Sequence, residues 1–162
     1  RVLRTACRLG LAIHILGGVL GVGVEGEIGH VGNADEEEGG SRYTTVEEAQ
    51  KYLGIRYVSG GASPSGFDCA GLVYYVLTQL GYSAHRTPVS QYSHGTYVDK
   101  SELKPGDIVF FAGTGASGIS HVGIYGGNGQ FIHAPNSRST VSYSSLTNGY
   151  WADHYYGARR IN

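Results

Sequence analysis

Residues 65–82 read SGFDCAGLVYYVLTQLGY and include Cys69, one of two cysteines in the 162-residue chain. Apolar side chains recur in this stretch at helical spacing, at Leu72, Val73, Val76, Leu77 and Leu80. Asp68 is a suitable N-cap, and Gly81 is suitable just beyond the helix end. The pattern predicts a mostly buried central helix from about Cys69 to Leu80, with the cysteine in its first turn.

A cysteine at a helix start has two interpretations: a small buried residue, or a nucleophile that its surroundings activate. A free thiol is mostly protonated at neutral pH, but a helix N-terminus and a nearby imidazolium lower its pKa. The position of Cys69 is expected to supply the first of these effects. The other cysteine, Cys7, lies in very different surroundings, so a Cys7–Cys69 disulfide is not expected.

The sequence after residue 44 predicts one α+β domain. Thr45 and Glu48 form a capping-box pattern for a helix that Gly54 ends. Farther along, strands are predicted at 107–112, in two runs within 119–135 that a glycine–asparagine turn joins, at 139–146 and at 155–162. Helices followed by short strands indicate an antiparallel sheet packed on the Cys69 helix.

The predicted hairpin carries two histidines, His121 and His133. Because side chains alternate along a strand, both rings lie on one face if Val122, Ile124 and Ile132 form the core side. A register that sets the two histidines opposite each other brings their Cβ atoms to about 4.5–5.5 Å. At that separation one ring can hydrogen-bond the other and orient it.

These residues support a hypothesis of a nucleophile, a base and an orienting group, formed by Cys69, His121 and His133. Two alternatives remain open. The cysteine is a buried filler and the histidines are ordinary polar strand residues, or the three side chains bind zinc. Zinc is disfavoured because no two of them have close helical or C-x-x-C spacing, so no metal is predicted.

Four blocks resemble the NlpC family of bacterial cell-wall cysteine peptidases: GFDCAGLVYYV, LKPGDIVFF, SHVGIYGGNGQFIHAP and YWADHYYGARRI. The resemblance covers about residues 45–162, in the family's own motif order. It implies a papain-like core in which N-terminal helices, including a central helix that carries the nucleophile, pack on a five- to six-stranded antiparallel sheet. It also implies hydrolysis of peptidoglycan stem peptides, typically between γ-D-glutamate and a diamino acid, without a cofactor.

Carried over by position, the resemblance makes Cys69 the nucleophile, His121 the base and His133 the third polar residue. It also implies that Tyr57 faces the cysteine and that Asp68 meets the free amine of the stem peptide. The family usually has serine after the cysteine, where this chain has Ala70 and therefore lacks that hydroxyl.

Each substrate-binding prediction has a structural alternative. Asp68 serves as an N-cap whether or not it binds substrate, and Tyr57 is also explained as a packed aromatic residue. Arg86 is a candidate for bidentate contact with a substrate carboxylate, and an exposed structural arginine is the alternative. The family function also has alternatives: a catalytically silent wall-binding module on the same fold, or an acyl or amide transferase that uses the same residues.

Residues 1–44 differ from the rest. A basic flank and an apolar run that ends at Val24 resemble an export signal or membrane anchor, and an acidic glycine-rich linker follows. We therefore expect 45–162 to be the catalytic domain, in a monomer that is secreted or associated with the bacterial cell envelope and meets a membrane only through its N-terminal segment. The formal net charge of −1 offers no basis for nucleic-acid binding.

Overall fold

The computed structural model describes residues 44–162, so the prediction for the N-terminal segment before residue 44 lies outside the described residues. Residues 44–50 form helix α1, followed by a turn that ends at Gly54 with φ +88°. Thr45 lies within this helix, so the predicted capping box is wrong. The Glu48 carboxylate instead accepts hydrogen bonds from Tyr52 Oη and from Lys51 Nζ, which draws it toward the C-terminal end of the helix.

The remaining elements are strands and helices, most of them short. A two-stranded ribbon of β1 (Ala62–Ser63) and β2 (Gly66–Phe67) precedes α2 (Cys69–Gln79) and α3 (Pro88–Gln91). The main sheet consists of β3 (Thr96–Val98), β4 (Ile108–Ala112), β5 (Ile119–Gly127), β6 (Gln130–His133), β7 (Ser142–Ser145) and β8 (Tyr155–Arg160). A 3₁₀ turn at Lys100–Glu102 follows β3, and helix α4 (Tyr150–Asp153) lies between β7 and β8.

The main sheet has six strands in the order β3-β8-β4-β5-β6-β7, and all neighbours are antiparallel. This confirms the predicted α+β class and the five- to six-stranded antiparallel sheet. The edge strand β3 was not predicted, because three residues are too few to show an alternating pattern.

Helix α2 matches its prediction to within one residue. The Asp68 side chain accepts a hydrogen bond from the Gly71 N–H as the N-cap, and Gly81 follows the helix end with φ +87°. Gly71 is required here, because a Cβ atom at this position would clash with the carbonyl oxygen of Gly61. The close approach holds the start of the helix against the loop that precedes it.

Both faces of the main sheet are buried. Helix α2 covers one face, where its apolar side chains pack with those of Ile108, Phe110, Val122, Ile124 and Ile132. The second face has its own cluster of Val98, Val109, Phe111, Phe131, Leu146 and Ala158. Half-buried aromatic residues, Trp151 among them, pack against this second cluster. None of the helices in residues 44–162 combines the length and apolar character needed to cross a bilayer.

Candidate active site

Cys69 begins helix α2 and lies against strand β5. Its thiol is free, and the residue packs at the margin of the cluster between α2 and the sheet. The backbone N–H of Val122, the residue after His121, faces the sulfur, as do those of Ala70 and Cys69 itself, and all three favour the thiolate. The thiol therefore lies beside the strand that carries the first histidine.

Burial determines the protonation of this thiol. Desolvation, with a smaller contribution from the neighbouring Asp68 carboxylate, raises the pKa of Cys69 to about 11, although the three backbone N–H groups act in the opposite direction. The helix start does act to lower this pKa, as expected, but removing the thiolate from water outweighs that effect, so the pKa is raised overall. At neutral pH the thiol keeps its proton and needs a base to remove it.

The two predicted histidines are in direct contact. His121 Nε2 and His133 Nδ1 are 2.8 Å apart, and the rings are nearly perpendicular, at 85°. This hydrogen bond leaves Nδ1 of His121 as the ring nitrogen available to a thiol. The ring-to-ring bond is the one that strand alternation predicted.

The register differs from a directly opposed pair. Ile124 pairs with Ile132 across β5 and β6, which places Gly123, not His121, opposite His133. The histidines are diagonal neighbours, and the missing side chain at Gly123 makes room for them. A Cβ atom there would lie 3.0 Å from His133 Cβ and 2.7 Å from Phe131 Cδ2.

A bulge in β5 keeps both histidines on one face. The pairing shifts by one residue between Tyr125 and Gly127. If the Gly127–Gln130 pairing continued without this shift, His133 would pair with Ile124 and point to the helix-covered face. Because Gly126 is an extra residue in β5, His133 pairs with Gly123 instead of Ile124 and therefore shares a face with His121.

Both rings are buried rather than emerging from the sheet. His121 is 4% exposed and His133 is fully buried. Burial lowers the pKa of His121 to about 3, and burial together with His121 lowers the pKa of His133 to about 2. Each ring is therefore neutral at pH 7, with one N–H and one lone pair.

Two partners of the histidines were not predicted. Ser144 Oγ lies 2.8 Å from His133 Nε2. Trp151 stacks on His121, with ring centroids 4.4 Å apart at 26°, and meets His133 edge-on at 5.0 Å. The sequence places Ser144 on a predicted strand and shows that Trp151 is the only tryptophan of the chain. Neither fact indicates that these side chains contact the two histidines.

The predicted substrate-binding residues lie together beside the thiol. The Asp68 carboxylate accepts two 3.0 Å hydrogen bonds from the Arg86 guanidinium and one from Gly60 N–H, in addition to its helix-capping bond. Burial and the nearby Cys69 and Asp68 raise the pKa of Tyr57. Arg86 is thus already paired with a carboxylate inside the protein, and a substrate carboxylate would share it with Asp68.

The zinc alternative requires side chains that face a common centre. The two imidazoles instead face each other, nitrogen to nitrogen. Among residues 44–162, no group of three or more His, Cys, Asp or Glu side chains is arranged to hold a metal ion.

Comparison with known proteins assigns the family. The model of the NlpC/P60 family matches residues 54–160. The chain belongs to the NlpC/P60 family. Two similar curated NlpC/P60 relatives are the gamma-DL-glutamyl hydrolase of Bacillus subtilis, 48% identical over 120 residues, and the murein DD-endopeptidase MepH of Escherichia coli, 39% identical over 120 residues.

These NlpC/P60 relatives are longer than the matched part. In each case the match covers 72% of this chain, but only 29% of the Bacillus subtilis protein and 44% of MepH. The crystal structure of an NlpC/P60 family protein from Bacillus cereus superimposes with a TM-score of 0.70 at 32% identity, covering 74% of this chain and 40% of that one. The papain-like core that the resemblance implied is therefore the NlpC/P60 fold.

Proposed function

We propose that this chain is a cysteine endopeptidase that hydrolyses peptidoglycan stem peptides, at the bond between γ-D-glutamate and a diamino acid. The observation that carries the proposal is the adjoining placement of a protonated thiol and a neutral imidazole pair. Cys69 lies against Val122, the residue before Val122 on β5 is His121, and His121 bonds His133. A relative named for γ-glutamyl hydrolysis, at 48% identity, supports the same chemistry.

Catalysis begins from neutral partners. Nδ1 of His121 accepts the thiol proton as Sγ attacks the carbonyl carbon of the γ-D-glutamyl group, and the carbonyl oxygen becomes an oxyanion. The N–H groups of Val122, Ala70 and Cys69 stabilise the sulfur while it carries negative charge. Proton transfer accompanies attack, because burial disfavours a resting thiolate–imidazolium pair.

The second half of the cycle returns the proton. The tetrahedral intermediate collapses as the C–N bond breaks, and the His121 imidazolium gives its proton to the leaving amine. The γ-D-glutamyl group then remains on Cys69 as a thioester. Water, deprotonated by His121, attacks this thioester, the C–S bond breaks and the peptide leaves with a free γ-carboxyl group. The proton on His121 returns to the sulfur, which restores the thiol and the neutral imidazole.

Substrate recognition is proposed to involve Tyr57, Asp68 and Arg86. The free amine of a stem peptide is cationic, and the Asp68 carboxylate beside the nucleophile is the group to receive it. Arg86 holds that carboxylate in place and takes part in binding the substrate's carboxylate from the same side. The charge of Asp68 reaches the Cys69 thiol, so a bound amine would anchor the stem peptide near the reacting sulfur.

The bond that is cut needs its own test, because the two relatives carry different names. The name of MepH specifies D,D bonds, which makes a D,D cross-link the second candidate. An acyl transferase using the same residues would form the same thioester but pass it to an amine instead of water. We place the protein at the cell envelope or outside the cell as a monomer, with residues 1–44 as its export or anchoring segment and no nucleic-acid partner.

The test is mass analysis of peptidoglycan fragments after digestion by the full chain, with Cys69→Ala as the inactive comparison. New γ-D-glutamyl carboxyl ends support the proposed bond, new D-alanyl ends support the second candidate, and transferred amines indicate transfer. Alkylation should abolish turnover while chelators leave it unchanged. Equal digestion by the wild type and Cys69→Ala would refute the proposed mechanism.

A further inference from the structure

A hydrogen-bonded chain leads from the base into strand β7. His121 Nε2 contacts His133 Nδ1 at 2.8 Å, and His133 Nε2 contacts Ser144 Oγ at 2.8 Å. The two imidazoles are buried and neutral, so each has one N–H and one lone pair. Assigning the proton on one ring therefore assigns it on the other.

Only two arrangements of protons fit this chain. In the first, His121 donates from Nε2 to His133 Nδ1, and His133 donates from Nε2 to Ser144. Nδ1 of His121 then has its lone pair and can accept a proton from Cys69. In the second, every donor is reversed, Nδ1 of His121 carries a proton, and the ring cannot act as a base toward the thiol.

The charged state removes this ambiguity. Once Nδ1 of His121 has taken the thiol proton, both of its nitrogens carry protons, so Nε2 can only donate. His133 must then accept at Nδ1 and carry its own proton on Nε2. The partner for that buried N–H is Ser144 Oγ, and an unpaired buried N–H is costly.

We propose that Ser144 is a positioning residue whose hydroxyl oxygen accepts a hydrogen bond from His133 Nε2–H, and thereby holds the Nδ1 lone pair of His121 ready for Cys69. Its effect grows as His121 becomes charged, so it stabilises the transition state more than the resting enzyme. The inference rests on the proposed function, because it concerns the same proton transfer. The hydrogen-bond chain itself can be tested without any substrate.

Strand β7 offers a matched control. Ser142 pairs directly with His133, whereas Ser144 pairs with Phe131, so both serines lie on the histidine face. Ser144 bonds the ring, and no side-chain hydrogen bond is found for Ser142 within residues 44–162. Ser142→Ala therefore changes the same strand and face without removing the hydrogen bond.

The first measurement is nitrogen NMR of the imidazoles in the full chain carrying Cys69→Ala. In the presence of Ser144 we expect both rings to be protonated on Nε2. Ser144→Ala should increase the population of the tautomers that are protonated on Nδ1. Ser144→Thr, which keeps the hydroxyl, should restore the original pattern, and Ser142→Ala should not change it. A His133 ring protonated on Nδ1 in the presence of Ser144, or populations that Ser144→Ala does not change, would overturn the proposal.

The second measurement is steady-state kinetics on a γ-D-glutamyl stem peptide, with thermal unfolding to verify that each variant is folded. Ser144→Ala should lower kcat about three- to tenfold with KM nearly unchanged, and Ser144→Thr should stay within about twofold of the wild type. An unchanged kcat in a folded Ser144→Ala enzyme contradicts the inference. If the wild type does not cleave the peptide but the NMR pattern responds as expected, the proposed function fails and the positioning role stands.

Discussion

The Arg86 guanidinium donates two hydrogen bonds, each 3.0 Å long, to the carboxylate of Asp68, the residue before the candidate nucleophile. The same carboxylate caps the helix that Cys69 begins. One ion pair thus links the start of α2, the loop before α3 and the thiol. It also places a negative charge where it opposes formation of the thiolate.

Asp68→Asn should lower the pKa of the Cys69 thiol. The neutral side chain keeps an oxygen to cap the helix but removes a negative charge that raises this pKa, and Arg86 is then left without its carboxylate. The rate of alkylation by iodoacetamide as a function of pH reports the shift. Glu47→Gln, at an exposed position of α1, is the control and should not change the profile. A thiol pKa that is unchanged or raised in Asp68→Asn would contradict this electrostatic account.

The two histidines should not contribute equally to catalysis. His121→Ala should abolish activity as fully as Cys69→Ala, because thiol and base act as a unit. His133→Ala should cost less. His133→Asn or His133→Gln should cost less again, because the amide oxygen can accept from His121 Nε2 and the amide nitrogen can donate to Ser144.

The measurement is kcat/KM for each variant on a γ-D-glutamyl stem peptide. His133 is fully buried, so thermal unfolding of each variant must separate loss of packing from loss of orientation. An active His121→Ala enzyme together with a dead but folded His133→Gln enzyme would reverse the two roles.

Acid should destabilise the fold through the buried histidines. Their pKa values in the folded protein, about 3 and about 2, lie below the ordinary value of about 6.5, so the unfolded chain binds more protons between these limits. The stabilisation is fully present above pH 6.5 and is lost as the pH falls toward the folded pKa values. The free energy of unfolding should drop by up to about 1.4 kcal/mol per pH unit for each histidine.

Urea denaturation between pH 7.5 and pH 5 measures this slope. His133→Gln removes one of the two groups and should reduce the dependence by up to half. A slope that is the same in the variant and the wild type would show that His133 is not the source.

Trp151 should keep water away from the base. The indole lies nearly parallel to the His121 ring and covers one of its faces, so it contributes to the burial that lowers the pKa of His121. Trp151→Ala should lower kcat roughly tenfold and raise the pKa of His121 toward its usual value, because water then reaches the ring. Trp151→Phe should retain most of the activity.

An NMR titration of the His121 ring protons measures the pKa directly. Tyr156→Ala is the control, since Tyr156 is an exposed aromatic residue whose ring contacts Tyr92 instead. A depressed His121 pKa in folded Trp151→Ala would show that other residues exclude the water.

Local signals in the sequence are sufficient to predict the elements that carry the site. Asp68 and Gly81 mark the ends of α2 because a side-chain cap and a positive φ act within one or two turns of the helix. Asn128 and Gly129 adopt φ angles of +55° and +73°, the left-handed conformation that a tight hairpin turn requires. Strand alternation, with Val122, Ile124 and Ile132 on the core side, predicted that His121 and His133 share a face.

Only the tertiary structure determines how these residues act on one another. The bulge at Gly126 sets the phase of β5 against β6, and a one-residue shift, which simple alternation does not reveal, decides which face His133 occupies. Ser144 and Trp151 reach the histidines from separate segments, and Arg86 reaches Asp68 across 18 positions of the chain. The thiol pKa also follows from tertiary packing, because the desolvation that raises it depends on every segment covering Cys69, whereas the helix end that lowers it is local.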